Sequence, residues 1–134
     1  MPTLKIIIDI STHKELRKIY FKQHEVPQIS SLSLNEQIRN SKIVIIDVRY
    51  PKEFAKLHIE DSINIPMTEI FEDRNVMGSF INSNAVFVCT NGKRSKWVTQ
   101  FLIDQANSTQ VSSLEGGLNK WFEDLDNPKT TIHI

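Results

Sequence analysis

Ala85-Val86-Phe87-Val88-Cys89-Thr90-Asn91-Gly92-Lys93-Arg94-Ser95 is the stretch on which the fold turns, since it passes from an apolar run through a tight polar loop toward a helix. Four apolar residues bounded by turn formers are too few for a helix and read as a buried strand. Beyond the loop, Trp97, Val98, Phe101, Leu102 and Gln105 recur at the three-four spacing of one buried face, predicting a helix from residue 94 or 95 to 106. Upstream, Lys42-Ile43-Val44-Ile45-Ile46-Asp47-Val48 is almost unbroken β-branched sequence, as expected of a central strand covered on both faces. Weaker strand patterns lie at residues 109–112 and at residues 62–64 before Pro66. Helices are expected at residues 34–39 after Ser33, at residues 51–54 with Pro51 in the first turn, and at residues 118–125 with Trp121 and Phe122. Strands alternating with helices define an α/β class with a mostly parallel sheet.

Composition narrows the function. A chain of 134 residues, 40% hydrophobic and 24% charged, is one globular unit and not a disordered segment. Sixteen basic and sixteen acidic side chains cancel, and the pI near 6.9 leaves no global field for nucleic acid or anionic membrane. Neither is therefore expected as a partner. No apolar run reaches the roughly 18–20 residues of a membrane span, and the apolar start at residues 4–10 breaks off too soon for a signal peptide, so a cytoplasmic protein is expected. One cysteine forms no internal disulfide, no Cys/His spacing suggests zinc, and neither metal nor cofactor is called for. Residues 1–27 stand apart as an extension. They hold a strand pattern at 4–10 and a basic amphipathic helix pattern at 12–22, with Leu16, Ile19 and Tyr20 on one face. Packing on the sheet is the simpler reading of that extension, and a partner-docking arm is the other.

The lone thiol falls at the carboxyl end of a strand, where open α/β sheets bind ligands. Gly92 and Asn91 permit left-handed backbone angles, and Ser95 is expected to cap the following helix. Amide hydrogens of the segment Thr90, Asn91, Gly92, Lys93, Arg94, Ser95 then point inward as a nest for an anion. The helix N-terminus and the charges of Lys93 and Arg94 favour a thiolate at Cys89. A buried, inert cysteine is the plain alternative, but Gly-Lys-Arg-Ser has no packing rationale at a strand end.

With these residues in view, the chain resembles a rhodanese-like domain of the single-domain sulfurtransferase type. Three segments carry the resemblance across about residues 28–126. The first is Asp47-Val48-Arg49, Glu53-Phe54, His58-Ile59 and Asn64-Ile65-Pro66 in order; the second is the Cys89 to Ser95 loop; the third is Leu114-Glu115-Gly116-Gly117 followed by Trp121. Where the family has Gly-His-Ile-x-Gly-Ala, this chain has Leu57-His58-Ile59-Glu60-Asp61-Ser62, so two glycines are lost and that turn is expected to differ. The resemblance implies a five-stranded parallel sheet flanked by helices over residues 28–134.

It also implies transfer of a sulfane sulfur from thiosulfate or a persulfide through a Cys89 persulfide to an external thiol or cyanide, or to a persulfide-carrying protein. The donor is a small anion, held by Lys93 and Arg94. With no second cysteine the chain cannot resolve its persulfide internally. Asp47 reads as a structural group that organises the turn after its strand, while Arg49 fits that role and a role in the site equally. His58 reads as structural, Gly116 and Gly117 as turn requirements, and Trp97 and Trp121 as core. Two rivals share the fold. A cysteine phosphatase or arsenate reductase resembles Cys-x5-Arg, whereas Cys89 to Arg94 is Cys-x4-Arg and makes a smaller cradle. A non-catalytic docking or regulatory module typically lacks the cysteine, which is present here.

Overall fold

The computed structural model describes residues 26–40, 42–126, 128 and 130–132, so the strand and helix expected at residues 4–10 and 12–22 lie outside the described residues. Five strands form one sheet: β1 (Gln28–Ile29), β2 (Val44–Asp47), β4 (Ile63–Asn64), β5 (Ala85–Val88) and β6 (Val111–Leu114), in the order β1-β6-β5-β2-β4. Every pairing between neighbours is parallel, as the alternation of strands and helices predicts. A two-stranded antiparallel sheet, β3 (Leu57–Ile59) with β7 (Thr130–Ile132), was not anticipated from the sequence.

Alternation along the central strands creates two cores. Ala85 and Phe87 of β5 face one side with Ile46 of β2, while Val86 and Val88 face the other with Ile45. The first side is covered by α3 (Met67–Glu72), the 3-10 stretch Arg74–Asn82 and α4 (Lys93–Ala106). Their Met67, Ile70, Phe71, Met77, Trp97, Val98 and Leu102 fill it. The second is covered by α1 (Ser31–Asn40) and α5 (Gly117–Asp124), which contribute Leu34, Leu118 and Trp121. Both tryptophans are core residues, as expected.

Element boundaries shift where local signals compete. Helix α1 begins before Ser33, because the Ser30 hydroxyl accepts the Ser33 amide and caps it. Strand β6 starts two residues later than residue 109, fixed by the pairing of Ala85 with Val111. Helix α3 and the 3-10 stretch, broken at Gly78 (φ +53°), are too short to carry a periodic signal. In the turn after β3, Asp61 adopts a left-handed angle, φ +66°, at the position of the family's second glycine.

The chain leaves β2 toward β4 and leaves β5 toward β6, on opposite sides. That divergence makes the carboxyl ends of β2 and β5 the switch point, at which such sheets place their sites. Because Phe87 is fully buried at the centre, Phe87→Ala is expected to lose about 3–5 kcal/mol of unfolding free energy in urea titration. Phe122→Ala, at a 38% exposed position, is expected to lose under about 1 kcal/mol.

Candidate active site

Cys89 follows β5 directly and has no exposed surface. Its Sγ accepts hydrogen bonds from the Gly92 amide at 3.1 Å and the Ser95 amide at 3.3 Å, with the Ser95 hydroxyl 3.4 Å away. The expected nest is therefore formed by two of the loop's amides, and the Lys93 amide instead donates to Asn91 Oδ1 at 3.0 Å. Gly92, at φ +93°, turns the chain so that its N–H faces the sulfur and caps α4. This corrects the assignment of Ser95 as the cap: Ser95 lies in the first turn, fully buried, and its hydroxyl meets Gly92 O and Ser113 Oγ rather than solvent.

The loop is held from behind by the Gly116-Gly117 turn. Leu118 N donates to Cys89 O at 2.9 Å and Asn119 N to Thr90 O at 3.0 Å. A Cβ on Gly117 would sit 2.4 Å from Cys89 O and 2.6 Å from Thr90 O, and its φ of +61° suits glycine as well. The turn requirement read from the sequence thus includes close approach to the cysteine's own backbone.

Lys93 is exposed at the loop's rim, whereas Arg94 is engaged. Its guanidinium pairs with both carboxylate oxygens of Glu53 at 3.0 and 3.2 Å, reaches Thr90 Oγ1 at 3.4 Å and lies 6.0 Å from the Tyr50 ring centroid. The Arg94 hydrogen bonds hold the Glu53 carboxyl below its ordinary range, opposed by partial burial and aided by the Tyr50 amide. Arg94 is pushed upward by Glu53, and the Cys89 charge contributes. Sequence reasoning placed Arg94 on the donor and missed Glu53 as its partner, 41 residues away. It missed Ser113 too, since nothing local in a strand marks a serine that faces a helix start.

Asp47 and Arg49 pair with each other. Arg49 Nη2 lies 2.8 Å from Asp47 Oδ2, its Nε 3.0 Å from Oδ1, and its Nη2 also donates to Leu57 O at 2.6 Å. Both are buried, and Asn64 spans the same turn by donating to the carbonyls of Asp47 and Arg49 at 3.0 Å. Among the described residues, Arg49 side-chain hydrogen bonds go to Asp47 and Leu57 O, and none goes to the Cys89 loop. His58 stacks on Phe54 at 3.8 Å with Nδ1 2.7 Å from Phe54 O, a structural arrangement.

A parallel α/β sheet with a buried cysteine sulfur cradled by amides at its switch point is the framework of a domain built around one thiol. The chain belongs to the rhodanese-like domain family, whose model matches residues 30–124. It is 32% identical over 98 residues to YtwF of Bacillus subtilis, whose name assigns it sulfurtransferase activity provisionally; the match covers 72% of this chain and 91% of that protein. It is 30% identical over 86 residues to the thiosulfate sulfurtransferase GlpE of Pseudomonas fluorescens, covering 64% of this chain and 76% of GlpE. Among solved structures, a rhodanese-related protein from Thermoplasma volcanium aligns with TM-score 0.67 and 26% identity over 80% of this chain and 99% of that one. The chain spans 32% and 20% of the longer adenylyltransferase relatives it matches in Pyropia yezoensis and Debaryomyces hansenii. Among the described residues no helix is long and apolar enough to cross a membrane.

Because the folded-state Glu53 carboxyl titrates below its unfolded value, the Glu53–Arg94 pair contributes fully at neutral pH and loses its contribution as pH falls through the lowered value. Glu53 is 36% exposed, so screening keeps that contribution within about 1 kcal/mol. Glu53→Gln is expected to be less stable than wild type at pH 7, with the gap closing as urea titrations move below the ordinary carboxylate range.

Proposed function

We propose that the chain is a sulfurtransferase that carries a sulfane sulfur on Cys89 from a small anionic donor or a persulfide to an external thiol or cyanide. The observation that carries this reading is the pair of amides, Gly92 N and Ser95 N, aimed at a single sulfur at 3.1 and 3.3 Å. Two fixed N–H dipoles at the start of a 14-residue helix meet negative charge on that atom without reorganisation.

With thiosulfate, the Cys89 thiolate attacks the outer sulfur. A Cys–S bond forms, the S–S bond of the donor breaks, and sulfite leaves with the bonding electron pair. The resulting Cys89 persulfide is attacked at its outer sulfur by cyanide, giving thiocyanate and returning the thiolate, or by a thiol, giving that thiol's persulfide. Lys93, at the exposed rim, supplies the positive charge that meets the incoming anion. Arg94 acts through its pair with Glu53, which fixes the loop against α2 (Pro51–Lys56). Cys89 has no exposed surface at rest, so a donor reaches the sulfur only when the groups covering it move aside.

The test is intact mass after incubation with thiosulfate, followed by cyanide and assay of thiocyanate. Wild type is expected to gain one sulfur and lose it to cyanide, and Cys89→Ser to gain none. Lys93→Ala is expected to reduce kcat/KM for thiosulfate by about three- to tenfold while sparing an uncharged persulfide donor. Absence of sulfur uptake from thiosulfate and from low-molecular-weight persulfides alike would overturn the reading. Hydrolysis of an aryl phosphate dependent on Cys89 would replace it with the phosphatase reading.

A further inference from the structure

Behind the cysteine sulfur lies a pair of hydroxyls with no contact to solvent. Ser95 and Ser113 are both fully buried, and their Oγ atoms are 2.6 Å apart. Ser113 sits on β6, on the same side of the sheet as Val111 and Cys89, which turns its hydroxyl toward the first turn of α4. Among the described residues its hydroxyl makes no other hydrogen bond. Ser95 Oγ is more crowded, with Cys89 Sγ at 3.4 Å and Gly92 O at 3.2 Å.

Counting protons assigns the donors. Each hydroxyl has one proton, and Gly92 O already accepts the Lys96 amide at 3.2 Å. When sulfur is a thiol, its S–H donates to Ser95 Oγ and the Ser95 proton turns to Gly92 O. When sulfur is a thiolate, the Ser95 proton must turn to sulfur, which then has three donors: two amides and one hydroxyl. In both states the Ser113 proton has one destination, Ser95 Oγ. In the thiolate state, with the S–H donation gone, this is the one hydrogen bond that Ser95 Oγ still accepts among the described residues, and it polarises the Ser95 O–H toward the charge.

We infer that Ser113 is a positioning residue: its buried hydroxyl holds the Ser95 hydroxyl on the Cys89 thiolate, setting how much of the cysteine is ionised. The inference deepens the sulfur-transfer reading, on which it rests for the thiolate being the working form. Its test, however, reads protonation alone and needs no sulfur donor. The proton released on ionisation passes to buffer base.

The experiment is titration of thiolate ultraviolet absorbance in the full chain, which has a single cysteine and therefore no thiol background. Ser113→Ala is expected to move the titration midpoint upward, with a roughly three- to tenfold smaller thiolate fraction below it, the worth of about one hydrogen bond. Ser113→Thr and Ser113→Val have the same shape and differ in the hydroxyl, so the midpoint is expected to lie lower in the threonine variant. In a Ser95→Ala background, Ser113→Ala is expected to add nothing, because the relay has already been cut.

The charged and titratable groups around the site are Lys93 and Arg94 from α4, Tyr50 and Glu53 beside α2, Asp47 and Arg49 after β2, and Glu115 and Lys120 near the Gly116-Gly117 turn. All are retained in every variant, so their fields cancel in the comparisons. An unchanged midpoint in folded Ser113→Ala, equal midpoints for the threonine and valine variants, or an undiminished shift in the Ser95→Ala background would each overturn the inference. Sulfur uptake by wild type, read by mass in parallel, reports separately on the sulfur-transfer reading.

Discussion

The carbonyl groups of Cys89 and Thr90 govern the geometry of the whole site. They accept the amides of Leu118 and Asn119 at the start of α5, while the sulfur of the same cysteine accepts amides at the start of α4. Two helix N-termini on opposite faces of the sheet thus converge on one short loop, one gripping its backbone and the other its side chain. Helix starts carry unpaired N–H groups that must find acceptors, and here the loop supplies them to both. A Cβ on Gly117 would lie 2.4 Å from Cys89 O, so only glycine allows the two segments to approach this closely. A loop fixed in this way can aim dipoles at sulfur without the cost of reordering them during reaction.

Around this clamp, the charges are arranged mainly to cancel. Asp47 and Arg49 neutralise each other where burial would penalise either alone, and the arginine's remaining reach goes to Leu57 O. Glu53 does the same for Arg94 at a half-exposed position and ties the start of α2 to the start of α4 through the Tyr50 amide. The sequence is neutral overall and carries a local cationic loop at Lys93 and Arg94. The geometry divides that loop: Lys93 is exposed at the rim, and Arg94 is bound to a carboxylate.

What was legible in the sequence was what is local in the chain. Strand β5, the Cys89 loop and α4 follow one another without interruption, so periodicity and turn chemistry suffice to find them. The β-branched run at β2 announces burial on both faces by composition alone. The Glu53–Arg94 pair and the Ser95–Ser113 contact join residues 41 and 18 positions apart, and only the parallel winding of the sheet brings them together. Ser95 looked like a cap because serine is favoured there, but Gly92 could take a left-handed angle and present its amide to sulfur, which freed serine for the buried network. The β3–β7 pairing was invisible for a related reason: three residues at each end of a 73-residue separation carry no pattern of their own.

The placement of the donors also bears on the direction of sulfur flow in the proposed transfer. Gly92 N, Ser95 N and the Ser95 hydroxyl all converge on Sγ itself, the charged atom of the free thiolate. In a Cys89 persulfide the charge moves to the outer sulfur, about 2 Å away along the new S–S bond. Donors fixed on Sγ then face an atom that has lost most of its charge, while the Lys93 amide is already committed to Asn91. In the proposed transfer these three donors favour the step that returns the thiolate and oppose, to the same extent, the step that loads it. In that reading the acceptor comes from outside the chain, because the sequence holds no second cysteine to attack the persulfide.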